Sequence, residues 1–391
     1  MSHYISKMQQ GTVAVDDMLL VKGVAATAGS RMLENFVPLF TAEAVQRLEQ
    51  AGYTVAGKSN VGPFGLDLVG EFSHFDAPTK DGKLVGAAAD LVASGEVKAA
   101  LGVDLNGSAR RAAALSGVKY IKPTYGTVSR YGVIACACSG EQVGVYAADT
   151  AMLRQVLSTV AGHDDKDGTS LPEAQYTYDL PSVQGKKVAI VTEWMQGEAA
   201  EDVRRYAEVL KNNGVCVEEI SCDLVKAAQL AWQILMAAET CNNLSRYDGV
   251  KFGHRTAQYN NIDDLYVNSR TEGFDLLTKT VILYGSHVLS KGRYTACYDK
   301  ALRIRRLVSE KLADIFAQYD AVLLPACSQK AYEPYPIEQA FGKVYDESLY
   351  TAVANLTGIP ALVSGGVQWM GKAFSEGMLM SLAACAEGEV L

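Results

Sequence analysis

Apolar positions recur along this chain with a helical period in some stretches and as short continuous runs in others, and the two kinds of stretch alternate. Ala44, Val45, Leu48 and Ala51 share one helical face, with Thr41 placed as its cap and Gly52 as its end. A strand from Tyr53 to Ala56 leads into Gly57-Lys58-Ser59-Asn60. A small-residue helix around Gly86 to Ser94, an apolar stretch from Val97 to Val103 and a helical run after Ser108, Ala109 to Ala114, follow. The second half repeats the style. Lys187–Val191 reads as a strand, then a helix buries Val203, Tyr206, Ala207 and Leu210 and stops at Gly214 before the strand Val215–Ile220. A long helix carries Ala301, Ile304, Val308, Leu312 and Ile315 on one stripe and leads to the strand Ala321–Leu324, closed by Pro325. This is βα alternation with no internal repeat and no low-complexity linker, which predicts an α/β fold. The loop-like stretch Gly162–Gly185 reads as a long surface connection within one domain.

Composition fits that picture. With 391 residues, 49% hydrophobic and 20% charged, the chain is long enough for one large domain with a sizeable core. A net charge of −8 argues against a protein that coats nucleic acid, which needs clustered cations, but leaves room for a local basic patch. The eight cysteines are scattered without CxxC pairs, as expected of reduced thiols in the cytoplasm. Cys136 and Cys138 read as two strand residues facing one side, since no histidine or further cysteine stands nearby to complete a metal site. The start lacks a signal-peptide core and no apolar run is long enough to span a bilayer, so a soluble cytoplasmic protein without metal or cofactor is expected.

Several chemistries find no motif. No GxGxxG follows a strand, and the Gly102-to-Ser108 outline lacks the phosphate-binding lysine of a P-loop. There is no HExxH and no GxSxG, and the five histidines stand apart. Two segments do carry chemistry. Lys58 sits at a strand end, and Ser108 follows the turn Asp104-Leu105-Asn106-Gly107 and opens a helix. Such a turn aims successive backbone N–H groups at one point, as an oxyanion hole requires, and a serine beside it is placed to attack a carbonyl if a base takes its proton. Alone the signal is weak, because most lysines are solvated and most turn serines are caps.

The string Lys122-Pro-Thr-Tyr-Gly-Thr-Val-Ser-Arg-Tyr-Gly-Val-Ile-Ala135 closely resembles the segment after the nucleophile in amidase-signature proteins, in particular the A subunit of the tRNA-dependent amidotransferases. Arg31-Met-Leu-Glu-Asn-Phe-Val-Pro38, Gly162-His-Asp-Asp-Lys-Asp167, Ser245-Arg-Tyr-Asp-Gly-Val250, Leu289-Ser-Lys-Gly-Arg-Tyr294 and Asn355-Leu-Thr-Gly-Ile-Pro360 are similar to that family as well. The resemblance implies a single domain over 1–391 with a mixed central β-sheet flanked by helices on both faces. It also implies that the family's amino-terminal helical segment is missing. The family works through a Lys–cis-Ser–Ser triad. By resemblance Lys58 is the base and Ser108 the acyl-forming nucleophile. Leu105, Asn106 and Gly107 form the oxyanion hole with Ser108, and Arg305 and Asp104 bind substrate. The implied reaction is attack on the glutamine side-chain amide, with ammonia passed to a B subunit that amidates misacylated tRNA. B and C subunits are the implied partners, with tRNA touched only indirectly and no membrane.

The chain departs from the family pattern at the chemistry. The family's GGSSGGS string falls on Gly82-Lys83-Leu84-Val85-Gly86-Ala87-Ala88, so Leu84 stands where the bridging serine is expected, and leucine relays no proton. Asp67-Leu68-Val69 replaces a glycine-serine-serine string, and Asn106 replaces a glycine. Losing one member of such a triad costs orders of magnitude in rate. Three functions follow as alternatives: a glutamine amidotransferase subunit with impaired catalysis, an inactive pseudo-amidase that binds partners, or an amidase for another small amide. The decisive expectation is that Lys58 and Ser108 share one pocket with Leu84 beside them, and that the Lys83–Leu84 peptide is trans.

Overall fold

In the computed structural model, which describes residues 3–172, 176 and 178–389, strands and helices alternate as the periodicity predicts. The first half runs β1 (Tyr4–Lys7), β2 (Val13–Asp16), α1 (Glu43–Gln50), β3 (Val55–Ser59), β4 (Thr79–Lys80), β5 (Lys83–Leu84), α2 (Ala87–Ala93), β6 (Ala99–Asp104), α3 (Ser108–Ser116), β7 (Lys119–Lys122), β8 (Gln142–Ala147) and α4 (Thr150–Val160). The second half continues with β9 (Lys187–Val191), α5 (Ala200–Asn212), β10 (Cys216–Ile220), α6 (Val225–Leu244), α7 (Ile262–Gly273), α8 (Leu276–Leu289) and α9 (Lys300–Phe316). It ends with β11 (Ala321–Pro325), α10 (Ala340–Thr357), β12 (Ala361–Ser364), β13 (Val367–Met370) and α11 (Glu376–Glu387).

Eleven of these strands form one mixed sheet in the order β1-β3-β2-β6-β8-β7-β12-β13-β11-β9-β10. β2 pairs in parallel with β3 and β6, β9 pairs in parallel with β10 and β11, and the strands between pair antiparallel. The central strands are buried throughout, which explains why β6 and β11 read as continuous apolar runs rather than alternating ones. The outer strand β10 differs: Cys216, Glu218 and Glu219 are exposed along it.

Side chains alternate between the two faces of the sheet. On β2, Val13 and Val15 enter a large core with α1, α4 and α6, whereas Ala14 enters a smaller cluster with Ala100 of β6 and Ala109, Ala112 and Ala113 of α3. Alanine is the commonest residue of the smaller cluster, and α2 and α3 lie close together: a Cβ on Gly86 would sit 2.2 Å from the Cβ of Ala112. The small-residue helix seen in the sequence is therefore small for packing.

Some boundaries differ from expectation. Thr41 does not cap α1. Ala42 is the N-cap, and the Thr41 hydroxyl instead accepts from the Lys22 N–H at 3.1 Å. The strand expected at Tyr53 to Ala56 lies at Val55–Ser59 and takes in Lys58. Cys136 and Cys138 lie on the loop before β8 rather than in a strand, where the Cys136 carbonyl accepts from Asn243.

A buried ionic network fixes the turn between β6 and α3. Arg110 donates from Nε to Asp104 Oδ2 at 2.9 Å and from Nη2 to Asp104 Oδ1 at 3.0 Å, a two-point pairing. Its Nη1 donates to Gln368 Oε1 of β13 at 2.7 Å and to the Thr351 carbonyl of α10 at 3.1 Å. Asn355 adds a bond from Nδ2 to Asp104 Oδ1 at 2.8 Å. Burial alone would raise the Asp104 carboxyl, but the Arg110 guanidinium and its hydrogen bonds outweigh that and hold it below the ordinary carboxylate range. Removing one partner from such a pair strands the other charge in the interior. Arg110→Leu is expected to cost about 3–5 kcal/mol of unfolding free energy. Urea denaturation checks this, and a loss below about 1 kcal/mol would contradict the role given to the pair.

Candidate active site

Ser108 opens α3 and is partly exposed, facing a cavity lined by Asp16, Asn60, Asp67, Gly86, Ala87 and Tyr146 among others. Gly107 before it takes φ 84°, a left-handed turn, and a Cβ there would lie 2.4 Å from Thr351. Glycine is required at that position on both counts. The cavity measures about 30 Å³. That is the share of one water molecule, whereas small-molecule sites span roughly 300–1,000 Å³.

Lys58 is not brought to Ser108. It is fully buried on β3 in register with Val15, so its side chain leaves the sheet on the large-core face, while Ser108, Ala109 and Ala112 belong with the small-residue cluster on the other face. Its ammonium donates to Asp17 Oδ1 at 3.0 Å and to the Asp17 carbonyl at 3.2 Å. Asp17 Oδ2 in turn accepts from the Thr27 N–H at 2.7 Å and the Thr27 hydroxyl at 2.5 Å. The expected Lys58–Ser108 pairing is thus corrected by strand alternation: a register one residue off puts an ammonium on the wrong side of the sheet. The strand residue that does face Ser108 is Asp16, one position along β2 from Val15.

Asp16 is acidic and confined. Oδ1 accepts from the Met18 N–H at 2.8 Å and Oδ2 from the Val103 N–H at 3.1 Å. Burial pushes its carboxyl up to about 6, with Asp17 adding to the rise and the two N–H donors and Lys58 opposing it. Asp67, on the far wall, is raised well above the ordinary range by burial and then by neighbouring Glu71. The two acids Asp67 and Glu71 organise the loop that the family's string would occupy. Asp67 accepts from the Gly70 and Phe72 N–H groups, both at 3.0 Å, and Glu71 accepts from Leu68 at 2.9 Å and Val69 at 2.8 Å. A Cβ at Gly62 would fall 1.9 Å from the Asp67 carboxylate, so the loop closes only around a glycine.

Leu84 is 2% exposed and sits in the small-residue cluster, its N–H donating to the Tyr332 carbonyl at 2.8 Å. The Lys83–Leu84 peptide is trans, as expected. Leu84 itself does not line the cavity; Gly86, Ala87 and Ala88 after it do.

In the turn predicted as an oxyanion hole, one of the N–H donors is committed to an internal bond. The Gly107 N–H donates to Asp104 Oδ1 at 3.2 Å, and the Asn106 carbonyl accepts from Arg111 at 3.0 Å and Thr351 at 3.1 Å. The Asn106 side chain is fully buried and its Oδ1 accepts from the Trp232 indole at 3.0 Å. Leu105 points into the large core. Asp104, expected to hold substrate, has both carboxylate oxygens committed to Arg110, Asn355 and Gly107 and no exposure, so that expectation is corrected: it is the anchor of the turn. Arg305 is half-buried on α9 and donates to the Ser139 carbonyl at 3.3 Å. Trp232 fills the space beside the next residue, for a Cβ on Gly140 would lie 2.0 Å from the indole.

Sequence reasoning missed Asp16, Asp17 and Trp232. The pair of acids directly after the apolar run Val13-Ala14-Val15 was the available signal, since two carboxylates at a strand end must find partners. Among the described residues no group of three or more histidines, cysteines or acids is arranged to hold a metal, and no helix is long and apolar enough to cross a membrane.

The fold and this serine-bearing turn define a class. The Amidase family profile matches residues 12–380, and the chain belongs to that family. Within it, the chain is similar to proteins named as the A subunit of glutamyl-tRNA(Gln) amidotransferase. That of Lachnospira eligens is 38% identical over 364 residues, covering 89% of this chain and 76% of the relative. That of Lactobacillus acidophilus is 36% identical and covers 97% of this chain and 84% of the relative. The crystal structure of the Thermotoga maritima counterpart superposes with a TM-score of 0.79 at 29% identity, covering 99% of this chain and 86% of that one.

Two outcomes check the geometry. Lys58→Met, which strands Asp17, is expected to destabilise by about 3 kcal/mol or more, and Lys58→Met with Asp17→Leu to recover much of the loss in chemical denaturation. Carboxyl NMR is expected to show Asp16 titrating at about 6. Because this acid is raised in the fold, it favours folding most at low pH, and that contribution fades as pH climbs from the unfolded value of about 3.9 through about 6.

Proposed function

We propose that this chain is an A-type member of a glutamyl-tRNA(Gln) amidotransferase-like assembly whose amidase chemistry is severely impaired, and that it serves as a partner-binding subunit beside B- and C-type chains in the cytoplasm. The resemblance supplies the assembly. The observation that supports the impairment is that the Lys58 ammonium is hydrogen-bonded to Asp17 and that Asp16, not Lys58, lines the cavity of Ser108. A serine hydroxyl is a poor nucleophile until a base removes its proton. Asp16 has both oxygens engaged by backbone N–H groups, and Leu84 relays nothing. The cavity of about 30 Å³ is small beside the roughly 300–1,000 Å³ of small-molecule sites.

One observation favours a second reading, a residual amidase: Ser108 remains partly exposed at the start of a nine-residue helix, where backbone dipoles favour a developing oxyanion. Ammonia release from glutamine, asparagine and a panel of small amides separates the two. Turnover is expected to lie at least ~10³-fold below that of an active relative measured alongside, with wild type and Ser108→Ala indistinguishable. Amide turnover that Ser108→Ala abolishes would instead establish the residual amidase and name its substrate.

A further inference from the structure

Helix α8 is apolar on two faces, and only one is covered. Leu277, Val281 and Val288 are buried, and a Cβ on Gly285 would lie 2.0 Å from the Ala237 carbonyl of α6, so the inner face packs tightly on that helix. The outer face carries Leu276, 42% exposed, and Leu283, 71% exposed, seven positions apart with Lys279 between them. Facing it, α7 exposes Val267 at 61% and carries Arg270 one turn on, with Phe274, the C-cap of α7, buried at the groove floor. A helix that is apolar all round is normally buried all round. Where α7 and α8 meet, Val267, Arg270, Phe274, Lys279, Ile282 and Leu283 line a groove of about 330 Å³.

Among the described residues, neither cation in this groove forms an ion pair with a carboxylate. Arg270 donates to the Leu244 and Tyr247 carbonyls at 3.2 and 2.7 Å, and Lys279 to the Thr271 carbonyl at 3.2 Å. Asp275 and Asp248 lie near enough to act on Lys279 and Arg270 electrostatically without pairing with them, and the Arg270 guanidinium also stacks over the Phe274 ring at 5.0 Å. Asp248 accepts from the Val250 and Lys251 N–H groups, and Asp275 from the Thr278 N–H at the start of α8. Arg270 and Lys279 are the charged residues of the groove lining among the described residues, on a chain of net charge −8.

We propose that the α7–α8 groove docks an acidic amphipathic helix of a partner protein. The helix lays its apolar stripe between Val267 and Leu283 and sets carboxylates against Arg270 and Lys279. This is helix-in-groove recognition, with apolar anchors supplying affinity and charge supplying register. It does not depend on whether Ser108 has any activity, so its failure and that of the functional reading are separate results.

The test is fluorescence anisotropy of the full chain with a labelled amphipathic peptide of about five helical turns, bearing leucines at i, i+3 and i+7 and flanking glutamates. A control peptide carries lysines in place of the glutamates. The acidic peptide is expected to bind at least ~10-fold more tightly than the lysine peptide, a difference of about 1.4 kcal/mol, and to weaken with added salt. Leu283→Glu and Val267→Asp, both at exposed positions and checked for folding by circular dichroism, are each expected to cost at least ~10-fold. The proposal is overturned if the acidic peptide fails to bind, if the lysine peptide binds equally well, or if both variants bind like wild type. It is also overturned if sedimentation shows that wild type dimerises and Leu283→Glu does not, since the groove would then be covered by a second copy.

Discussion

The pairing of Arg110 with Asp104 is what the β6–α3 turn depends on. One guanidinium, fully buried, ties together four elements: its own helix α3, strand β6 through Asp104, helix α10 through Thr351 and Asn355, and strand β13 through Gln368. Two charges in the interior are tolerable only when their hydrogen-bonding capacity is nearly exhausted, and here it is. The pair therefore dictates how the turn lies and, through the Gly107 N–H that it captures, where Ser108 begins its helix. The turn is held by forces that have nothing to do with a substrate, so it persists whether or not any reaction occurs there.

That separation lets the turn hold its serine independently of the groups around it. Around Ser108, Asp16 and Asp67 accept backbone N–H groups, and alanines let two helices approach. Each is locally satisfied. On the other side of the turn, Trp232 donates to Asn106, and Arg305 is turned to the Ser139 carbonyl. Buried polar atoms are costly when unpaired, and of the Asn106 amide only Oδ1 finds a partner among the described residues.

The fold was legible in the sequence because its signals are additive over many residues. The run at Val97–Val103 and the stripe from Ala301 to Ile315 each report burial several times over, so small errors in boundaries do no harm. Ser108 was legible for a similar reason, since a glycine at φ 84° immediately before a helix leaves a turn signature. Lys58 was not. Which face a strand residue occupies turns on a single step of register, and β2 and β3 carry an irregularity at Val13–Ala14 that shifts that register. Nor does sequence spacing disclose that Asp17, forty-one positions away, claims the ammonium. Asp104 was misread because a buried acid beside a turn looks the same in sequence whether it holds a ligand or an arginine.

The exposed strand β10 has one more consequence. It ends the sheet with Glu218 and Glu219 turned outward, and its outer backbone edge is the natural place for another chain's strand to add. Two neighbouring carboxylates repel an incoming peptide backbone and discourage such edge-to-edge growth. At this end of the sheet, lateral polymerisation is disfavoured.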